Sequence, residues 1–222
     1  MRKLLYLHSL PPLLAELRNF QQEVHNPPPL PRDILITNGA QHGIYQCVEM
    51  MVDPGDPVLT TEYSYTGVHS AVSTPPLHPE VLGIPEDEYG MIVSSLESVL
   101  QDRLARGLKM PRILYLIPTG NNPTGTVLPA DRRKKIYELA CQYDFLIIED
   151  DPYMFLNFSD IRPPSFLSLD TCGRVVRLDS GSKVLSAGMR AGWLTAPAAL
   201  MHRAELHSQA ELLHPCTLSQ VS

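Results

Sequence analysis

The sequence predicts an α/β fold around a mostly parallel sheet, and three observations carry that prediction. Short apolar runs alternate along the chain with longer stretches of helical spacing, the pattern of repeated strand–helix units. Two of the runs, RILYLI at 112–117 and FLII at 145–148, are apolar at nearly every position, as strands buried on both faces must be. Clusters of Asn, Asp, Gly and Pro separate the segments, so each unit is sharply bounded.

Taken in order, residues 13–24 (LLAELRNFQQEV) set Leu13, Leu14, Leu17, Phe20 and Val24 at helical spacing. Residues 26–32 (NPPPLPR) end that helix, because proline lacks an amide hydrogen and its ring collides with the preceding turn. Residues 34–37 read as a strand, Asn38-Gly39 as a turn, and 40–52 as a helix stopped by Asp53-Pro54-Gly55-Asp56. A second short strand is expected at 57–60, and a short helix or extended connector at 68–73. Pro75, Pro76, Pro79 and Pro85 break up the next stretch, which ends in the polar turn 86–90. Then come a helix at 93–106, the strand 112–117 and a helix at 131–143 with Ile136, Leu139 and Ala140 on one face. The strand 145–148 is capped by Glu149-Asp150-Asp151, strands follow at 174–178 and 192–196, and a helix is expected over 200–221.

Composition excludes several classes. At ~100–200 residues per domain, 222 residues make one large domain or two small ones. Lys plus Arg number 18 against 24 Asp plus Glu, a net charge of −6 without basic runs. Nucleic acid is therefore not expected as a partner, because phosphate contacts need clustered Lys and Arg. No apolar stretch approaches the ~18 residues of a membrane span. Cys47, Cys141, Cys172 and Cys216 are far apart with no C-x-x-C pair, so neither a zinc ribbon nor a disulfide framework is indicated, no metal is expected, and free thiols in a reducing compartment are the reading. The N-terminal MRKLLYLHSL sets two basic residues before a short apolar run without a small-residue cleavage site. It is read as ordinary structure, with a cytoplasmic or mitochondrial location.

Ligands of such sheets sit outside the carboxyl ends of the strands, so the residues just after each strand are the candidates. Thr37-Asn38-Gly39-Ala40-Gln41 leads from strand to helix, and helix N-termini bind phosphate through backbone N–H groups; a plain tight turn gives the same pattern. PTGNNPTG at 118–125 carries more special residues than a connection needs. Asn122 could present its amide to a ligand, or both asparagines could only cap turns. Glu149-Asp150-Asp151-Pro152-Tyr153 places three carboxylates side by side, which repel unless a cation or a proton sits among them; a solvated acidic loop is the alternative. Ser180-Gly181-Ser182-Lys183, followed by GMRAG at 188–192, offers either a Schiff-base lysine or a surface lysine beside serines.

The order of these signals is more specific than any one of them. N-N-P-T-G, D-x-x-Y, S-x-S-K and R-x-G, each where a strand end is expected, together resemble the fold type I pyridoxal-phosphate-dependent aminotransferases of the class I/II group. The longer stretches ITNGAQHG, MMVDPGDPVL, TEYSYTG, IPTGNNPTG, YELACQYDFLIIEDDPYMFL and RVVRLDSGSKVLSAGMRAGWLTAP are similar to the kynurenine/α-aminoadipate aminotransferase branch. The likeness runs from about Leu10 to the C-terminus.

The resemblance implies a three-layer α-β-α sandwich and pyridoxal 5'-phosphate as cofactor. Lys183 would hold the cofactor covalently and shuttle the substrate proton, and Asp150 would pair with the pyridine nitrogen. Asn122 and Tyr153 would bond the ring oxygen, and Tyr65 would stack on the ring. Ala40, Gln41, Ser180, Ser182 and Arg190 would hold the phosphate. Gly181 stands where relatives often carry a bulkier residue. The implied reaction moves an amino group from an aminoadipate- or kynurenine-like amino acid to a 2-oxo acid such as 2-oxoglutarate, in a homodimer. Residues 1–32 are expected to form an N-terminal helix and proline-rich connector, and 33–222 the cofactor domain. That domain is expected to be incomplete at its C-terminus and the small domain largely missing. The arginine that grips the substrate carboxylate would lie outside the chain, since Arg203 does not match its position. An inactive truncated product and another reaction on the same cofactor are the alternatives. A sensor domain of a DNA-binding regulator lacks the basic N-terminal segment it would need.

Overall fold

A computed structural model describes residues 9–73, 78–158 and 162–221; the expectations for residues 1–8 and for Pro75-Pro76 lie outside them. The first helix, α1 (Pro11–His25), starts two residues earlier than the apolar spacing suggests, with Pro11 and Pro12 in its first turn, where a missing N–H costs nothing. It stops at Asn26, which turns left-handed (φ 42°) and returns its N–H to Gln22 O, before Pro27–Pro29 forbid another turn. Then follow β1 (Arg32–Thr37), α2 (Ala40–Met51), β2 (Pro57–Thr61), α3 (Thr66–Val72), β3 (Glu80–Ile84), the two-residue strands β4 (Glu86–Asp87) and β5 (Gly90–Met91), α4 (Val93–Ala105) and β6 (Ile113–Leu116). The chain continues through α5 (Ala130–Tyr143), β7 (Leu146–Asp150), α6 (Phe166–Leu169), β8 (Val175–Ser180), β9 (Gly192–Pro197), α7 (Ala198–Glu211) and α8 (Thr217–Val221).

Seven strands form one sheet in the order β1-β9-β8-β7-β6-β2-β3, with β9 antiparallel to both neighbours and the other pairs parallel. Helices cover both faces. Because side chains alternate along a strand, Ile113, Tyr115, Ile148, Val176 and Leu178 turn to one face and pack with α2, α3 and α7. Leu114, Leu116, Ile147 and Val175 turn to the other and pack with α4, α5 and α6. Helix α1 lies at the β1 edge, with Leu17 on Ile34 and Ile36.

Three expectations change. The proline-broken stretch holds a strand, β3, paired with β2 as Leu59↔Leu82; as the sheet edge it carries polar and half-exposed residues, which hid its period. The acidic run does not cap β7, because Glu149 and Asp150 belong to the strand itself. The helix over 200–221 is two helices, parted where Leu213 turns left-handed (φ 63°) ahead of Pro215.

Candidate active site

The alternation of β7 sorts the three adjacent carboxylates. Asp150 shares a face with Ile148, whereas Glu149 and Asp151 point to the opposite side of the sheet. There a cation does sit among the carboxylates: Arg177 of β8, paired in register with Glu149 and fully buried. Its guanidinium lies 3.1 Å from Glu149, 3.4 Å from Asp151 and 2.8 Å from Asp179. Glu149 also accepts the N–H groups of Phe166 (2.8 Å) and Leu167 (3.1 Å) at the start of α6. Removing one partner from such a cluster strands buried charge. Arg177→Met is therefore expected to lower folding stability by about 3–5 kcal/mol, read as a drop in the urea midpoint.

Asp150 is left alone on the other face. It is 3% exposed, its Oδ2 accepts the Tyr115 hydroxyl at 2.7 Å, and its Oδ1 is buried without a hydrogen-bond partner among the described residues. Burial, joined by the nearby Asp151 and Asp179 and opposed by Tyr115 and Arg177, pushes its carboxyl up to about 7. Tyr115 was not singled out in the sequence. The available signal was a hydroxyl inside an otherwise aliphatic, doubly buried strand, where it needs a partner.

The carboxyl ends of β1, β6, β7 and β8 meet at a cleft of about 190 Å³. All ten residues singled out above line it: Ala40, Gln41, Tyr65, Asn122, Asp150, Tyr153, Ser180, Ser182, Lys183 and Arg190. The Lys183 ammonium sits 5.6 Å from the centre of the Tyr153 ring. Ser180 Oγ accepts the Ser182 N–H at 3.2 Å, fixing the tight turn that carries Lys183. Gly181 belongs to that turn and donates its N–H to Ala191 O at 3.0 Å. The two asparagines divide the labour. Asn121 is buried and its amide donates to Tyr63 O (3.0 Å), Glu86 (2.9 Å) and Thr124 (3.1 Å), tying the loop down; Asn122 faces the cleft.

At the other end of the cleft, α2 begins after Gly39 with no side-chain cap, so its first N–H groups remain available to an anion. The Arg190 guanidinium reaches Ser182 Oγ and Asn38 O, both at 3.3 Å, and Ala187 O at 3.1 Å. Gly39 has φ +81°, and a Cβ there would lie 2.3 Å from Arg190 Nη2; only glycine lets the guanidinium lie against the helix start. Gln41 donates to Gly67 O at 2.9 Å, anchoring α2 to the turn after Tyr65. Two serine hydroxyls, a guanidinium and a helix N-terminus suit a phosphate. The orphaned Asp150 oxygen suits a buried N–H donor. The donor set thus fits both ends of pyridoxal 5'-phosphate.

Among the described residues no helix is long and apolar enough to cross a membrane, and no group of His, Cys, Asp and Glu is placed to hold a metal.

A family model described as "Aminotransferase class I and II" matches residues 6–220. The kynurenine/alpha-aminoadipate aminotransferase, mitochondrial, of Rattus norvegicus is 46% identical over 96% of this chain and 53% of its own length, and the Bos taurus protein of that name is 42% identical over 99% and 55%. A crystal structure of Pyrococcus horikoshii kynurenine aminotransferase in complex with PMP superposes with TM-score 0.92 at 32% identity, over 96% of this chain and 52% of that one. The Thermus thermophilus α-aminoadipate aminotransferase LysN gives TM-score 0.84 at 30% identity, over 96% and 52%. The chain spans about half the length of the curated relatives it matches. With its sheet order, its cleft and its sequence in agreement, the chain belongs to the class I and II aminotransferases.

Proposed function

We propose that this chain carries the cofactor machinery of an aminotransferase that moves an amino group between an aminoadipate- or kynurenine-like amino acid and a 2-oxo acid such as 2-oxoglutarate. The family's cofactor is pyridoxal 5'-phosphate. One observation carries the reading: a single cleft gathers Lys183, the unpartnered carboxylate oxygen of Asp150, and an uncapped helix start beside Arg190. When bound, the cofactor supplies an electron sink for the pair left behind as the substrate Cα–H bond breaks. Lys183 Nζ supplies the amine for covalent attachment and, once released, accepts and returns the Cα proton. Asp150 Oδ1, buried without a partner among the described residues, would accept the hydrogen bond of the ring nitrogen and hold its proton in place. Tyr65 would cover the ring, Asn122 and Tyr153 would donate to its oxygen, and α2 with Ser180, Ser182 and Arg190 would hold the phosphate. The relatives' names support transamination over an inactive form or another reaction on the same cofactor. A homodimer is proposed with it, and the mammalian relatives support the mitochondrial of the two expected locations.

The test is to titrate the chain with pyridoxal 5'-phosphate, reduce with borohydride and map the peptides. Label on Lys183, followed by amino-donor-dependent loss of the reducible adduct, is the expected result. Label scattered over surface lysines would sink the reading. Charge-assisted hydrogen bonds contribute about 1.5–3 kcal/mol each, so Arg190→Ala is expected to weaken cofactor binding about 10- to 100-fold by equilibrium dialysis. Pyridoxal without its phosphate should bind both proteins alike.

A further inference from the structure

The four cysteines occupy unlike environments, which the mechanism above does not use. Cys47 is buried within α2, where burial pushes its thiol up to about 12. Cys216 is exposed between α7 and α8, where hydrogen bonds involving Ser219 and Leu218 hold its thiol below its ordinary value too. Cys141 and Cys172, distant in sequence, come together. Cys141 sits half-buried in the last turn of α5, and Cys172 is exposed in the turn between α6 and β8.

Tyr137 makes this meeting. It precedes Cys141 by one helical turn, so both project from the same side of α5. Its hydroxyl oxygen accepts the N–H groups of Thr171 at 2.8 Å and Cys172 at 2.9 Å, and it lies 3.2 Å from Asp170 Oδ1. The 171–173 turn is thereby pinned over the end of α5. The two thiols are neighbours, each acting on the other's ionisation, and Cys172 Sγ is 3.6 Å from Thr171 Oγ1. The pair is asymmetric. The Thr171 hydroxyl, at hydrogen-bond distance, leads the groups that hold the Cys172 thiol below its ordinary value. Burial first, with the charge of Cys172 adding, raises that of Cys141. An accessible, acidified thiol beside a protonated neighbour is the arrangement of peroxide-sensitive cysteine pairs.

We propose that Cys141 and Cys172 form an oxidisable pair in which Cys172 reacts with hydroperoxides and Cys141 resolves the product as a disulfide. The Cys172 thiolate attacks one peroxide oxygen: the S–O bond forms, the O–O bond breaks, and the departing hydroxide takes a proton to leave as water. The Cys141 sulfur then attacks the sulfenic sulfur: the S–S bond forms, the S–O bond breaks, and a second water leaves with the Cys141 proton. Two thiols lose two electrons and two protons, and one hydrogen peroxide becomes two waters. Dithiothreitol reverses the change.

The experiment treats the whole chain with stoichiometric hydrogen peroxide, blocks remaining thiols and digests at acidic residues without reduction. The expected product is the Cys141 peptide joined to the Cys172 peptide, with Cys47 unmodified and Cys216 joined to neither. In Cys141→Ser, Cys172 should persist as a sulfenic acid trapped by dimedone; in Cys172→Ser, Cys141 should stay reduced at the same dose. Tyr137→Phe should slow the linkage several-fold while leaving the reactivity of Cys216 unchanged. Absence of the linked peptide, linkage of Cys172 to Cys216 instead, or equal dimedone trapping in the parent and in Cys141→Ser would each overturn the proposal.

Discussion

Lys183→Ala is expected to remove borohydride-fixed cofactor from the cleft entirely and to lower the proposed transamination by about 10²–10⁴-fold. Among the described residues Lys183 is the one lysine lining the cleft, so no neighbouring amine can take over the attachment. The loss should not be a loss of binding. The phosphate contacts proposed for Arg190, Ser180, Ser182 and the start of α2 do not involve the lysine side chain, and Lys183 is an exposed residue of a short turn whose backbone is held by Ser180. The variant is therefore expected to fold with an unchanged urea midpoint and to bind pyridoxal 5'-phosphate noncovalently. Peptide mapping after reduction checks the first effect and dialysis the second. Wild-type turnover, or label retained in the cleft, would contradict the assignment of Lys183.

How much of this was open to the sequence depends on how local each fact is. The central strands were legible because burial on both faces demands apolar residues at nearly every position, as in β6 and β7. The edge strand β3 was not, because an edge has one solvated side and tolerates flanking prolines. Placing candidates just after strands found Asn122 and Lys183, since a parallel sheet gathers those ends in one crevice. Tyr65 came from the resemblance alone, and Tyr153, though in a post-strand segment, took its role from it. Which member of Glu149-Asp150-Asp151 faces the cleft required knowing that β7 runs through Asp150, because a residue in a loop has no obligatory face. Arg177 as counter-charge, and the meeting of Cys141 with Cys172, depend on strand register and on one tyrosine contact; neither leaves a local trace in the sequence.

Asp150→Asn is expected to act with opposite signs on stability and on chemistry. In the cofactor-free protein the Asp150 carboxyl is raised from 3.8 to about 7, chiefly by burial. Below pH ~4 both the folded and unfolded chains hold it protonated, and it costs nothing. As pH rises through this window the unfolded chain releases the proton first, so stability is lost until the folded chain ionises as well, near pH 7. At 1.36 kcal/mol per pH unit the loss reaches at most about 4 kcal/mol. Asparagine carries no charge at any pH. The variant should thus have the higher urea midpoint at pH 8, and the advantage should vanish towards pH 4. Turnover should move the other way, by about 10²–10³-fold downward, the size seen when one electrostatic partner of a reacting group is removed, because a neutral amide cannot hold a proton on the ring nitrogen. Lys183 labelling should persist, since attachment needs only the amine. A residue that merely packed the sheet would lower stability and activity together. A gain in one with a loss in the other is the signature of a carboxylate kept buried, at a cost to folding, for the sake of a cationic partner.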